Sequence, residues 1–226
     1  MRKRNRLSLA VAAAWLAAGP AANAALITQT LGDVDFSNGQ TSIGTATFTG
    51  AGAGDPAPFN SFIGSDVNGP NFSTSFAFNY GAIADSITSA AIQIGLYDGD
   101  SVAFGNQVAA YSVDGFDLTA LLNAVMEATP GASGQENYYA VALPTAALAL
   151  LADGSATFSL SLQPPGSGVL GDTPFNGAGL DFATFTISTE SRPTTTVPEP
   201  TSVSLLLAGL TSLLAGGALR RRRSLR

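Results

Sequence analysis

The chain of 226 residues contains no cysteine and no histidine. The first absence excludes disulfides, thiolate nucleophiles and Cys-ligated zinc or iron–sulfur centres. The second removes the commonest general base and the commonest transition-metal ligand, and with them any Ser-His-Asp triad. Charge of one sign is nearly missing too. Nine of the ten basic residues sit in the two tails, and between Ala25 and Val197 only Arg192 is basic. Fifteen of the sixteen acidic residues fall in that same span, so one positive charge stands against fifteen negative ones, a net of −14. A surface so anionic repels nucleic acid, which is bound through clustered Lys and Arg, and no nucleic-acid partner is expected. It suits an exported protein, or one that meets cations.

Short alternating segments fill the middle of the chain. "NFSTSFAFNY" places Phe72, Phe76, Phe78 and Tyr80 on one face against Ser73, Ser75 and Asn79. "AIQIGLY" aligns Ile92, Ile94 and Leu96; "ATFSLSLQ" aligns Phe158, Leu160 and Leu162; "TFTIS" aligns Phe185 and Ile187. Period-two alternation rich in Phe, Ile and Thr marks half-buried strands. Asn38-Gly39, Asn68-Gly69, Asp98-Gly99, Asp153-Gly154 and Asn176-Gly177 punctuate them as turns. The expectation is an all-β, antiparallel sandwich over residues 25–190, jelly-roll-like, with one or two short helices. Those helices are "FDLTALLNAVMEA", capped by Asp117, and "LPTAALALLADG", opened by Pro144 and stopped at Gly154. "TFTGAGAGDPAP" reads as loop.

The two ends carry address labels rather than fold. Residues 1–6 hold four positive charges, Leu7 to Ala18 are apolar, and Ala22-Asn23-Ala24 supplies a small-x-small cleavage pattern. That is a secretory signal peptide, residues 1–24, with cleavage after Ala24. Thr201 to Leu219 is free of charge, about 28 Å of helix, which approaches the hydrocarbon thickness of a bilayer. Arg220, Arg221, Arg222 and Arg223 follow at once and stop transfer on the cytoplasmic side. Gly209, Gly216, Gly217 and several Ser and Thr make it a helix suited to pack against protein within the membrane. Pro198, Glu199 and Pro200 keep the helix from starting earlier and hold an extended strand before it, as a protease requires. Residues 191–197 form a polar stalk.

Pro-Glu-Pro, a transmembrane helix and a C-terminal Arg cluster, in that order over residues 198–226, resemble the PEP-CTERM sorting signal. The resemblance implies recognition by an exosortase, an integral-membrane protease or transpeptidase of Gram-negative bacteria that make exopolysaccharide. It implies export, a transient inner-membrane intermediate, and final residence at the cell surface or outside the cell. The segments "IGLYDGD", "VDGFDLTALLNA", "LPTAALALLADGSATFSLSL" and "FNGAGLDFATFTIS" resemble sandwich domains found ahead of such tails. That second resemblance implies a jelly-roll-like body and brings no catalytic residues.

The chemistry left to the body is that of carboxylates. Asp98, Asp100 and Ser101 follow a strand, and Asp181 precedes the last one. Carboxylates from separate loops can converge on one Ca2+, which takes six to eight oxygens, so Asp98, Asp100 and Asp181 are the candidate ligands. A solvated turn is the alternative for the first pair. Tyr97, Tyr111, Tyr138 and Tyr139 are candidates for stacking on sugars, or for packing in the core. A glycosidase needs two opposed carboxylates, and no pair among the fifteen stands out. The reading is therefore a non-enzymatic structural or adhesive surface protein associated with exopolysaccharide. A carbohydrate- or calcium-binding module is the alternative, and a carboxylate-based hydrolase a more distant one.

Overall fold

A computed structural model describes residues 24–103, 105–164 and 174–190, together with 206, 209 and 210. Ala21–Ser191 forms one compact unit. Its elements are mostly strands: β1 (Ala24–Gly32), β2 (Ser61–Ile63), β3 (Ser73–Asn79), β4 (Ser86–Tyr97), β5 (Val108–Val113), β6 (Phe116–Asp117), β7 (Glu136–Ala142), β8 (Ser155–Leu162) and β9 (Ala178–Glu190). The helices α1 (Thr45–Ala51), α2 (Thr119–Ala128) and α3 (Thr145–Leu148) are short.

Two antiparallel sheets share one core. The first runs β1-β9-β4-β7, with β2 also pairing β9; the second runs β3-β8-β5-β6. The alternation read in the sequence decides which face is buried. Phe76, Phe78, Ile92, Ile94, Leu160 and Ile187 are all in the core. Rings from both sheets meet there: Phe185 of β9 lies 5.3 Å from Phe78 of β3 and 5.3 Å from Phe158 of β8, centroid to centroid. Two sheets with interdigitating inner faces make a sandwich. From β3 onward the chain changes sheet at nearly every strand, and β5 to β6 is the one step that stays within a sheet.

Three helices are present where one or two were expected. The added one is α1, in a stretch read as loop. Threonine and glycine give it little intrinsic helicity, and packing supplies the rest. Phe48 is fully buried, stacked 4.6 Å from Tyr97 and 5.8 Å from Phe36. These rings and Ile43 form a small second core. Asp117, the expected cap, lies one position before the observed one: α2 has Leu118 at its N-cap, while Asp117 in β6 accepts the Thr119 N–H at 2.9 Å. The segment after Pro144 begins as α3 and continues as a 3-10 turn, Ala149–Asp153, ended by Gly154 in a left-handed conformation.

Among the described residues no helix is long and apolar enough to cross a membrane. The expected span 201–219 lies outside them except for Leu206, Gly209 and Leu210, which are helical. The signal peptide through Asn23 also lies outside, including Ala22, as do the stalk, Pro198, Glu199, Pro200 and Arg220 to Arg223. Ala24 is the first residue of β1.

Candidate functional site

At one end of the sandwich β4 finishes while β3, β5, β7 and β9 begin. Three of the loops there carry carboxylates or amides toward each other. Asp98 and Asp100 follow β4, both buried and both with positive φ, 59° and 49°. Aspartate tolerates that left-handed backbone better than most residues. Asp66 comes from the β2–β3 loop. Asp66, Asp98 and Asp100 each place a carboxylate oxygen within 4.8 Å of the other two.

The surrounding loops hold these groups in place. Asp98 Oδ1 accepts Ser133 Oγ at 3.0 Å and the Gly134 N–H. Asp66 Oδ1 accepts the Gly177 N–H at 2.8 Å, and its backbone carbonyl accepts the Phe175 N–H at 3.3 Å. Ser101 Oγ and the Tyr139 hydroxyl share a hydrogen bond of 2.7 Å. Burial, then Asp98 and Asp66, push the Asp100 carboxyl up to about 7. Burial also raises Asp66. No Lys, Arg or His occurs between residues 24 and 190, so no side-chain cation of the body can offset the cluster.

The structure brings Asp98 and Asp100 together and places Asp181 elsewhere. Asp181 is wholly buried on β9, where Asn60 Nδ2 reaches its Oδ1 at 3.2 Å and Asp35 Oδ2 at 2.9 Å. Asp35 in turn groups with Asp33 and Asp55, again within 4.8 Å, in a more exposed setting. Burial raises Asp181 to about 6; Asp35 adds to this, and the Asn60 amide draws it back. Glu136 on β7 has no exposed surface and neither carboxyl oxygen is hydrogen-bonded. Its burial, with the charge of Asp181, lifts it to about 9. Glu136 is therefore protonated at neutral pH. The backbone beside it is paired, Gly39 N donating to the Glu136 carbonyl at 2.8 Å.

Sequence reasoning missed Asp66 and Glu136. "SDVNG" around Asp66 reads as an ordinary turn, and nothing local links it to a loop after β4. Three of the four candidate tyrosines are not platforms for sugars. Tyr97, Tyr111 and Tyr139 are at most 2% exposed, and Tyr138 packs edge-on against Phe182 at 4.9 Å.

The tail is assigned by comparison. A model of the PEP-CTERM protein-sorting motif matches residues 196–223. The chain carries a PEP-CTERM sorting motif. The match takes in Pro198, Glu199, Pro200 and Arg220 to Arg223. A PEP-CTERM motif implies processing by a membrane-associated exosortase and export to the cell surface. No curated protein matches the chain. Among solved structures, dimeric latent PorU from Porphyromonas gingivalis aligns with 80% of this chain and 15% of its own, at 12% identity and a TM-score of 0.33. The chain thus spans a small part of that protein's length.

Proposed function

We propose that this is an exported surface or matrix protein whose PEP-CTERM tail is cut by an exosortase, leaving a jelly-roll body that serves a structural or adhesive role in exopolysaccharide. The observation that carries this reading is the motif at residues 196–223, following a body whose last strand ends at Glu190. Each part of the tail has a physical task. The prolines present extended backbone, the small-residue helix docks in the membrane, and the arginines hold register against translocation.

The strand order supports a jelly roll. With β2 set aside, eight strands form two four-stranded sheets, β1-β9-β4-β7 and β3-β8-β5-β6, the pairing that two Greek keys generate. We read the body as non-catalytic. It lacks His and Cys, and its most perturbed carboxyl, Glu136, has no exposed surface through which a substrate would reach it.

Fractionation of producing cells tests the matrix role. The processed body should be recovered with the polysaccharide fraction, and should pass into the medium in a strain that makes no exopolysaccharide. The same distribution in both strains would contradict the association.

A further inference from the structure

We infer that Asp66, Asp98, Asp100 and Asn176 form a calcium site that ties together the loops after β2, β4 and β8. This goes beyond the sorting role and is independent of it. Two separate observations meet here. The first is three carboxylate oxygens within 4.8 Å of one another in a body with no basic side chain between residues 24 and 190. The second is Asn176 Oδ1. Asn176 is 0% exposed, and this oxygen has no hydrogen-bond partner.

The surroundings of Asn176 place its amide beside the carboxylate-bearing loops. Its Nδ2 donates to the carbonyl of Gly99, the residue between Asp98 and Asp100, at 3.5 Å. Its chain neighbours Phe175 and Gly177 both donate backbone N–H groups to Asp66. The amide is therefore held between Asp66 and the Asp98–Asp100 turn. A buried amide oxygen without a donor is rare in a folded protein, because it has lost water and gained nothing. A cation shared with the three carboxylates satisfies all four groups at once.

The donor set selects the ion. All four groups are hard oxygens, with neither nitrogen nor sulfur, which favours Ca2+ or Mg2+ over zinc or copper. Ligands from three loops make an irregular site. Ca2+ accepts six to eight oxygens in flexible geometry, whereas Mg2+ demands a near-ideal octahedron. Ser133, Gly134 and Gly177 supply the outer hydrogen bonds that orient Asp98 and Asp66 as ligands. Carboxylates bind the ion only when deprotonated, so affinity should weaken as the pH falls. The Asp33, Asp35 and Asp55 group also has an amide beside it with an unpartnered oxygen, Asn60 Oδ1, but its carboxylates are more exposed, and Asn60 Nδ2 already donates to Asp35 and Asp181.

The test is calorimetric titration of the full chain, purified in detergent, with CaCl2 and separately with MgCl2, paired with melting temperatures. The expected result is one saturable Ca2+ per chain in the range of extracellular modules, about 0.1–1 mM. Melting temperature should rise with Ca2+ and much less with Mg2+. Asp100→Asn removes a repelling charge, so it should fold at least as well without the ion. It should also weaken Ca2+ binding about tenfold or more. Asn176→Asp adds a ligand charge and should tighten binding. Asp35→Asn should bind as the wild type does. Absence of saturable binding, equal shifts from Ca2+ and Mg2+, or binding that survives in Asp98→Asn/Asp100→Asn would each overturn the site.

Discussion

Ala24 and Glu190 are register partners at the free edge of the five-stranded sheet. The first residue of β1 and the last of β9 therefore lie side by side, and the chain enters and leaves the sandwich at one corner. The loops carrying Asp66, Asp98, Asp100 and Asn176 gather at the other end of β9, which begins at Ala178. Thirteen extended residues separate the two ends, about 40 Å at the usual rise.

The aromatic core sets stability, and Phe158 is its hub. Its ring lies 5.7 Å from Phe76, 5.9 Å from Phe78, 6.1 Å from Tyr111 and 5.3 Å from Phe185. Phe158→Ala should cost about 3–5 kcal/mol through lost burial and the cavity left behind. Leu26→Ala, at a position 68% exposed, should stay within about 0.5 kcal/mol. Urea titration of the two variants measures both, and equal costs would contradict a shared inter-sheet core.

The buried acids make stability fall as pH rises. Glu136 is raised from 4.5 to about 9, Asp100 from 3.8 to about 7 and Asp181 from 3.8 to about 6. The native state keeps protons that the unfolded chain has already released, so unfolding free energy declines between about pH 4 and pH 9. In chelator, the melting temperature should drop steadily across that window. Glu136→Gln should stabilise the protein by about 2–4 kcal/mol at pH 8 and leave it nearly unchanged at pH 4. A gain independent of pH would show that Glu136 is ionised in the native state.

Backbone shape matters at Gly154, which ends the turn after α3 with φ 97°. A Cβ there would run into the Gly81 carbonyl carbon and the Ala82 nitrogen. Its carbonyl also accepts the Tyr80 and Gly81 N–H groups at 2.9 and 3.1 Å, so the two segments cannot part freely. Gly154→Ala should cost about 3 kcal/mol, from left-handed strain together with the clash. Gly115, with φ 81° and open space around it, is the control, and Gly115→Ala should cost only about 1 kcal/mol. Thermal or urea unfolding that ranks them equally would contradict the packing of Gly154 on Gly81.

Much of the sandwich was legible because its signal is local. Alternation at Phe76 and Phe78, at Ile92 and Ile94 and at Phe158 and Leu160 needs only neighbouring residues. Helix α1 was not legible, since it rests on Phe48 stacking against Tyr97, a partner far along the chain. Glu136 reads as a surface charge in "GQENYYAVAL", and only the segment that hydrogen-bonds across it from Gly39 and Gln40 shows its burial. The acidic site was half legible. Asp98 and Asp100 share one turn after a strand, whereas Asp66 and Asn176 reach it through the topology of the two sheets. The sorting tail needs no tertiary structure: its order of Pro-Glu-Pro, apolar helix and arginines is itself the signal.

The most direct test of the sorting account is the intact mass and location of the protein made in a host with an exosortase and in one without it. With the enzyme, the mature chain should lose residues beyond the Pro198-Glu199-Pro200 region and leave the inner membrane. Without it, or with all three of those residues changed to Ala, the chain should keep residues 201–226 and remain membrane-bound. Mature protein that retains residues 201–226 in the inner membrane of both hosts would contradict the account and reduce the tail to an anchor.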